Sequence, residues 1–269
     1  MLNSPVTNIT YGTDTVSVTA NGKTLPYDYV VLTPQIWASQ LGIAFEGFSP
    51  GDLPDETVAA RNEQHLIASC KVFFPLSKPY WGPGATIPQL IVTDTFVQDA
   101  YGVQWSNDDP GVLLASYTWE DDALKLLPYS NDQVAAMVLD QLDAITASTL
   151  NGAKISDYVL DRNDAVVFQW TTQVGYNGCA KLYRQRNWSM NYALLAYNQQ
   201  YSKSSRLYLA GETFGVEGGW TEPALRLALD AVIRIIQNSG GTFANGFNVD
   251  TDYPTYDTTF TPDENYCST

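Results

Sequence analysis

Histidine, cysteine and positive charge are scarce in this chain, and each scarcity excludes a class of chemistry. His65 is the only histidine among 269 residues, so a Ser-His-Asp or Cys-His arrangement would have to use it. Cys70, five residues further along the same segment, cannot readily face it. The three cysteines, Cys70, Cys179 and Cys267, have no metal-ligand spacing, and an odd count allows at most one disulfide and leaves a spare thiol. A zinc site needs more His and Cys than the sequence supplies. Lys and Arg number 14 against 29 Asp and Glu, for a formal net charge of −15. That balance argues against nucleic acid or an anionic membrane surface as partner, because basic residues supply such affinity. No apolar run approaches the roughly 18 residues that a membrane span needs. The opening MLNSPVTNIT has neither the basic start nor the apolar centre of a secretory signal. Neither a Gly-Lys-Ser/Thr phosphate loop nor a GxGxxG fingerprint is present.

What is there is a globular composition, 45% hydrophobic and 16% charged, in a chain long enough for one large domain or two. A soluble protein is expected. Compartment and secretion stay open, since the sequons at Asn8 and Asn187 matter only in a secreted protein. Residues 6–20 alternate in the manner of strands about a turn at Gly12-Thr13-Asp14, and Asn21-Gly22 is a hairpin signal. Residues 27–33, YDYVVLT, predict one buried strand of an α/β sheet that stops at Pro34, completing a three-stranded meander. A helix is expected over 55–64, then strands over 66–76, 90–93 and 111–119, with Tyr117 and Trp119 on one face of the last. Lys71 interrupts the first of these strands, 66–76. It reads either as a solvated lysine on a sheet edge or as a buried functional amine. Glu120-Asp121-Asp122 reads as a metal ligand set or, more simply, as the acidic first turn of a helix. Ser130 with Gln133 three residues on is a capping-box pattern opening an amphipathic helix over 131–146. One or two strands over 157–170, a short helix over 192–199 and an extended or partly disordered tail beyond Gly240-Gly241 complete the reading.

The rest is organised around the stretch from Arg206 to Gln237. A short buried strand breaks at Gly211-Glu212, and Gly218-Gly219 can take positive φ or admit a close approach. A helix follows with Pro223 in its first turn, where the missing N–H costs nothing. Only Arg226, Asp230 and Arg234 interrupt this apolar helix. That pattern predicts one thin polar stripe at water, the remainder buried, and a helix start whose N–H groups point into the protein at an acceptor. With an isolated lysine in an apolar strand and several tryptophans, these parts suit a flat, hydrogen-bonding cofactor that does its own chemistry.

In this order the residues resemble the flavin amine oxidases, the group containing L-amino-acid oxidases, monoamine and polyamine oxidases and amino-acid 2-monooxygenases. LYLAGE followed by GGWTEPALRLALDA is similar to the family's C-terminal signature. The D-x-VVLT-P strand, the K-V-F-F strand and the Pro79-Tyr80-Trp81 turn precede it in the family's order. The GGWTEPAL form lies nearest the L-amino-acid oxidases. The resemblance implies an α+β or α/β fold, with a partial FAD-binding, glutathione-reductase-like domain and a mixed-sheet substrate-binding domain. Residues 1–50 would be the FAD-domain meander and the segment after it, and 51–165 the substrate-binding domain. Residues 166–241 would return to the FAD domain with its flavin loop and helix, and 242–269 would form the tail. FAD is the implied cofactor, with a small-molecule amino acid or amine and O2 as partners. The implied reaction is oxidative deamination of L-amino acids to 2-oxo acids, ammonia and hydrogen peroxide. Oxidation of mono- or polyamines, or a truncated non-catalytic fragment, are the alternatives. The family's GxGxxG segment, acidic ribose ligand and substrate-carboxylate arginine are not among these residues. The expectation is therefore the C-terminal half to two-thirds of such an enzyme, with an N-terminal FAD-binding segment of a longer chain as partner; a homo-oligomer is also compatible.

Carried over residue by residue, the resemblance implies these roles. The Val6 backbone meets the FAD adenine, Gly211 and Glu212 lie by the ribityl and pyrophosphate, and Trp170 packs near the flavin or is a plain core residue. Trp220 stands beside the isoalloxazine, the Gly219 carbonyl accepts from the substrate amine, and the helix start at Thr221 and Glu222 faces the flavin N1 and C2 carbonyl. Lys71 holds a water at flavin N5 and, with Trp220, is a catalytic candidate. Tyr117 donates to the substrate carboxylate or packs across strands. Cys179 lines the side-chain pocket, and His65 supports the site or acts as an acid-base group. No metal is implied.

Overall fold

The computed structural model describes residues 2–182, 188–201 and 205–255; Cys267 and Asn187 lie outside them. Strands β1 (Val6–Tyr11), β2 (Val16–Ala20), β3 (Lys23–Tyr27) and β4 (Val30–Leu32) lead to α1 (Ile36–Gly42), β5 (Ala44–Glu46) and α2 (Asp55–Glu63). The chain continues through β6 (Ser69–Pro75), β7 (Leu90–Val92), β8 (Asp99–Val103), β9 (Val112–Trp119), α3 (Glu120–Leu124), α4 (Asn131–Thr149) and β10 (Val166–Gln169). It closes with α5 (Trp188–Tyr201), β11 (Leu207–Leu209), α6 (Thr221–Asn238) and α7 (Val249–Asp252). The fold is α+β, and contacts divide it into two units, one from Met1–Leu66 with Val174–Thr269 and one spanning Ile67–Gln173. No helix among the described residues is long and apolar enough to cross a membrane.

In the first unit, β3-β2-β1-β5 form one sheet, antiparallel except for the parallel pair β1 and β5. Asn21 and Gly22, at φ 50° and 69°, make the left-handed pair that a two-residue hairpin requires. The single strand expected over 27–33 is divided. Tyr27 pairs with Val16 as the end of β3, whereas Val30–Leu32 leave to pair in parallel with Leu207–Leu209. One apolar run thus serves two sheets. Ile9, Val16, Leu32, Leu194, Leu207, Phe214 and Leu227 meet in the core of this unit.

The second unit is a five-stranded sheet ordered β10-β6-β9-β8-β7, each neighbour antiparallel. Its core joins Cys70, Val72 and Phe74 of β6 with Leu113 and Ala115 of β9 and Val134, Val138 and Leu142 of α4. The expected capping box opens α4, with Gln133 N–H donating to Ser130 Oγ at 3.3 Å and Ser130 N–H to Gln133 Oε1 at 3.0 Å. The acids Glu120, Asp121 and Asp122 form the first turn of α3. Strand β8 goes unnoticed in the sequence because its five residues include Gly102 and carry only weak alternation. Of the one or two strands expected over 157–170 the structure has one, β10, and two short 3-10 turns precede it. Asp161 turns the chain there by accepting from Asn163 N–H at 2.8 Å.

Two further expectations are corrected. The tail as far as residue 255 is not simply extended: it holds a 3-10 turn at Ala244–Gly246 and α7, which Asn248 caps. Helix α6 exposes Leu225, Leu229 and Val232 (60%, 53% and 52%), while Asp230 is fully buried. Its inner face runs through Leu227, Asp230, Ala231 and Ile233, so a polar residue sits inside and an apolar stripe outside. Burial of Asp230 is supported by Gln199 Nε2 at 3.3 Å and Arg234 Nε at 3.6 Å.

Candidate functional site

Strand β11 is wholly buried and ends at a backbone that only glycine enters easily. Gly211 has φ 126°, and a Cβ there would lie 3.4 Å from the Thr33 carbonyl oxygen at the end of β4. A 3-10 turn, Glu212–Phe214, and the loop through Gly219 then deliver the chain to α6. Gly219 has φ 80°, which gives the loop its second left-handed bend. Trp220 stands at the N-cap position of this 18-residue helix, its side chain makes no cap, and it is 73% exposed. Thr221 and Glu222 are exposed as well. The helix start therefore faces outward, which corrects the expectation of an inward-pointing end.

Glu212 ties this loop together. Its Oε1 accepts from Gly219 N–H at 2.7 Å and from Lys181 N–H at 3.0 Å. Gly218 packs so tightly on the Lys181 carbonyl that any Cβ would collide with it. Lys181 is buried, and its Nζ donates to the Gly215 carbonyl. Burial pulls its ammonium down to about 8, with Glu212 and Glu217 opposing that shift. Lys181 goes unnoticed in the sequence. The available signal is its place between Ala180 and Leu182, the same apolar flanking that marks Lys71.

The other candidates of this unit lie on neighbouring segments. Leu66 bridges Lys181, and Leu182 N–H donates to the His65 carbonyl at 3.1 Å, which binds the segment after Cys179 to the one holding His65. The Cys179 carbonyl accepts from Gln35 Nε2 at 3.0 Å. Val6 is half-buried and opens β1 opposite Ala20.

In the second unit, three strands place Phe168, Lys71 and Tyr117 side by side in register. Lys71 is half-buried on the face opposite Cys70, Val72 and Phe74. Because β6 is paired on both sides, it is not an edge lysine. Its Nζ lies 4.3 Å from the centroid of the Tyr117 ring, within range for a cation–π contact. Tyr117 meets Trp119 at 4.8 Å between centroids, and Phe168 meets Trp170 edge-on at 4.7 Å. The sheet thus sets Lys71 against Tyr117, while Trp170 packs on Phe168, the neighbour of Lys71 in register. Among the described residues no group of three or more His, Cys, Asp or Glu could hold a metal ion.

Comparison with known proteins bears on both units. A family model described as flavin containing amine oxidoreductase matches residues 1–236. A tryptophan 2-monooxygenase of Pseudomonas savastanoi is 30% identical over 243 residues, covering 86% of this chain and 42% of the relative. An L-amino-acid oxidase of Mus musculus is 29% identical over 253 residues, covering 89% of this chain and 36% of the relative. A putrescine oxidase variant, solved in a structure-based redesign of cofactor binding, superposes with a TM-score of 0.63 at 19% identity, over 87% of this chain and 49% of that one. The chain spans less than half the length of each of these proteins.

Proposed function

The chain belongs to the flavin-containing amine oxidoreductase family, and on that premise we propose that it is part of an FAD-dependent enzyme acting on L-amino acids. The reaction consumes the amino acid, O2 and water and yields a 2-oxo acid, ammonia and hydrogen peroxide. The observation that carries the cofactor half is the end of β11: two left-handed glycines bracket a loop that leads into a long helix whose start is outward and lacks a side-chain cap. That arrangement fits a flat group that gains negative charge when it is reduced, because the helix N–H groups and dipole favour negative charge. Gly211, Glu212, Gly219, Trp220, Thr221 and Glu222 would hold FAD, together with the Val6 backbone and Trp170. When bound, the FAD supplies the two-electron oxidant for the Cα–N bond. An N-terminal segment of a longer chain is proposed to complete its binding.

The chain's own groups bind and orient the substrate. The Gly219 carbonyl accepts from the substrate amine, Trp220 and Cys179 shape the space beside it, and Lys71 holds a water. Tyr117 donates its phenolic proton to the substrate carboxylate without bringing a competing charge. Two relatives named for amino-acid chemistry support this substrate over a simple amine. Tyr117→Phe in the protein expressed from its complete gene tests it. The KM for an L-amino acid rises about tenfold or more, as expected for a lost hydrogen bond to a charged group, while the flavin spectrum stays unchanged. An unmoved KM sinks the carboxylate role.

The similarity to tryptophan 2-monooxygenase over most of the chain favours a second reading, a monooxygenase outcome on the same substrate class. Turnover under 18O2 separates the two: a monooxygenase places label in the organic product, and an oxidase places it in hydrogen peroxide.

A further inference from the structure

Lys181 is 1% exposed, and three of its groups meet the loop that leads into α6. Its Nζ donates to the Gly215 carbonyl. Its N–H shares Glu212 Oε1 with Gly219 N–H, and its carbonyl presses against Gly218. Behind it the segment is fixed by the Leu66 bridge and the bond from Leu182 N–H to His65. A lysine held from behind thus grips a glycine loop at three points. A neutral side chain of similar length would fill the same space without the cost of burying a charge, so space filling alone does not account for an amine here.

We propose that Lys181 is a positioning residue for the cofactor loop, holding Gly215–Gly219 and the start of α6 in place, and that it does so best as the neutral amine. A neutral amine still donates to Gly215, but it carries no desolvation cost. Adding a proton favours a loosened loop in which the ammonium reaches water. Among the described residues, the charged and titratable groups near it include Glu212 on the 3-10 turn and Glu217 on the loop, with His65 and Cys179 on the segments that anchor it. Glu217 is itself held by Arg226 of α6 at 3.8 Å, and Arg226 also pairs with Glu222 at 2.9 Å. Burial is the dominant influence and outweighs both carboxylates. The consequence for catalysis rests on the flavin reading, since this loop carries Gly219 and Trp220; the movement itself does not.

The test uses the protein from its complete gene, labelled with 5-fluorotryptophan, with the Trp220 resonance assigned through Trp220→Phe. In the native sequence the Trp220 19F shift titrates with a midpoint near the Lys181 value of about 8, and the transition disappears in Lys181→Met. A flat Trp220 shift from pH 7 to 10, or a transition that survives in Lys181→Met, overturns the proposal. Should Lys181→Met fail to fold, 13Cε-labelled lysine in the native sequence decides: a Lys181 resonance that titrates only at the ordinary 10.5 overturns it, and one that titrates together with Trp220 upholds it. The visible spectrum of the same sample separates the two readings. A colourless protein with this transition sinks the flavin site and leaves the Lys181 assignment standing; a flavin-coloured protein without it does the reverse.

Discussion

The ammonium of Lys71 lies over the Tyr117 ring on a half-buried sheet face, whereas that of Lys181 is closed off from water beside a carbonyl. Burial therefore acts strongly on Lys181, and this has a signed effect on stability. The unfolded lysine keeps its proton to about 10.5, and the folded one gives it up at about 8. Between those values the unfolded chain binds more protons, so stability rises with pH; the contribution is full above the unfolded value and is lost as pH falls through the folded one. Urea unfolding at several pH values across that window measures a slope of at most about 1.4 kcal/mol per pH unit from this group. Lys181→Met removes it. Lys71 can be noticed in the sequence because it breaks a strand-length apolar run. Lys181 has only its apolar flanking as a signal, in a loop without periodicity, and flanking alone does not tell which side chain the tertiary fold will cover.

Helix α4 and helix α6 differ in how well local sequence specifies them. For α4, an apolar face and a capping box agree, and both are present in the structure. Ser130→Ala removes the acceptor for Gln133 N–H and lowers stability by about 1 kcal/mol, seen as a lower thermal midpoint with unchanged near-UV circular dichroism. For α6 the local pattern assigns the stripe of Arg226, Asp230 and Arg234 to water, yet that pattern does not decide the buried face. The neighbouring elements select it, drawing Asp230 inside and leaving Leu225, Leu229 and Val232 outside. The same limit explains the run at 27–33. Its strand character is evident in the sequence, but its division between an antiparallel and a parallel partner depends on β2 and β11, far away in the chain.

At the scale of the whole molecule, the order of the motifs from the meander to GGWTEPAL identifies the family, and the family match over residues 1–236 agrees. Within the first unit Glu212 bonds Gly219 in the loop before α6, and within the second Lys71 meets Tyr117 while Trp170 packs on Phe168. The exposed start of α6 was hidden from the sequence, because its exposure depends on what packs around it and not on its own residues. An FAD site serving an L-amino acid has a direct signature in the visible spectrum of the protein from its complete gene under anaerobic conditions. L-tryptophan is added to one sample and tryptamine, the same side chain without the carboxylate, to another. Oxidised flavin bands bleach with the amino acid and persist with the amine if the site is as described; a folded protein without flavin bands, or equal bleaching by both compounds, rules that site out.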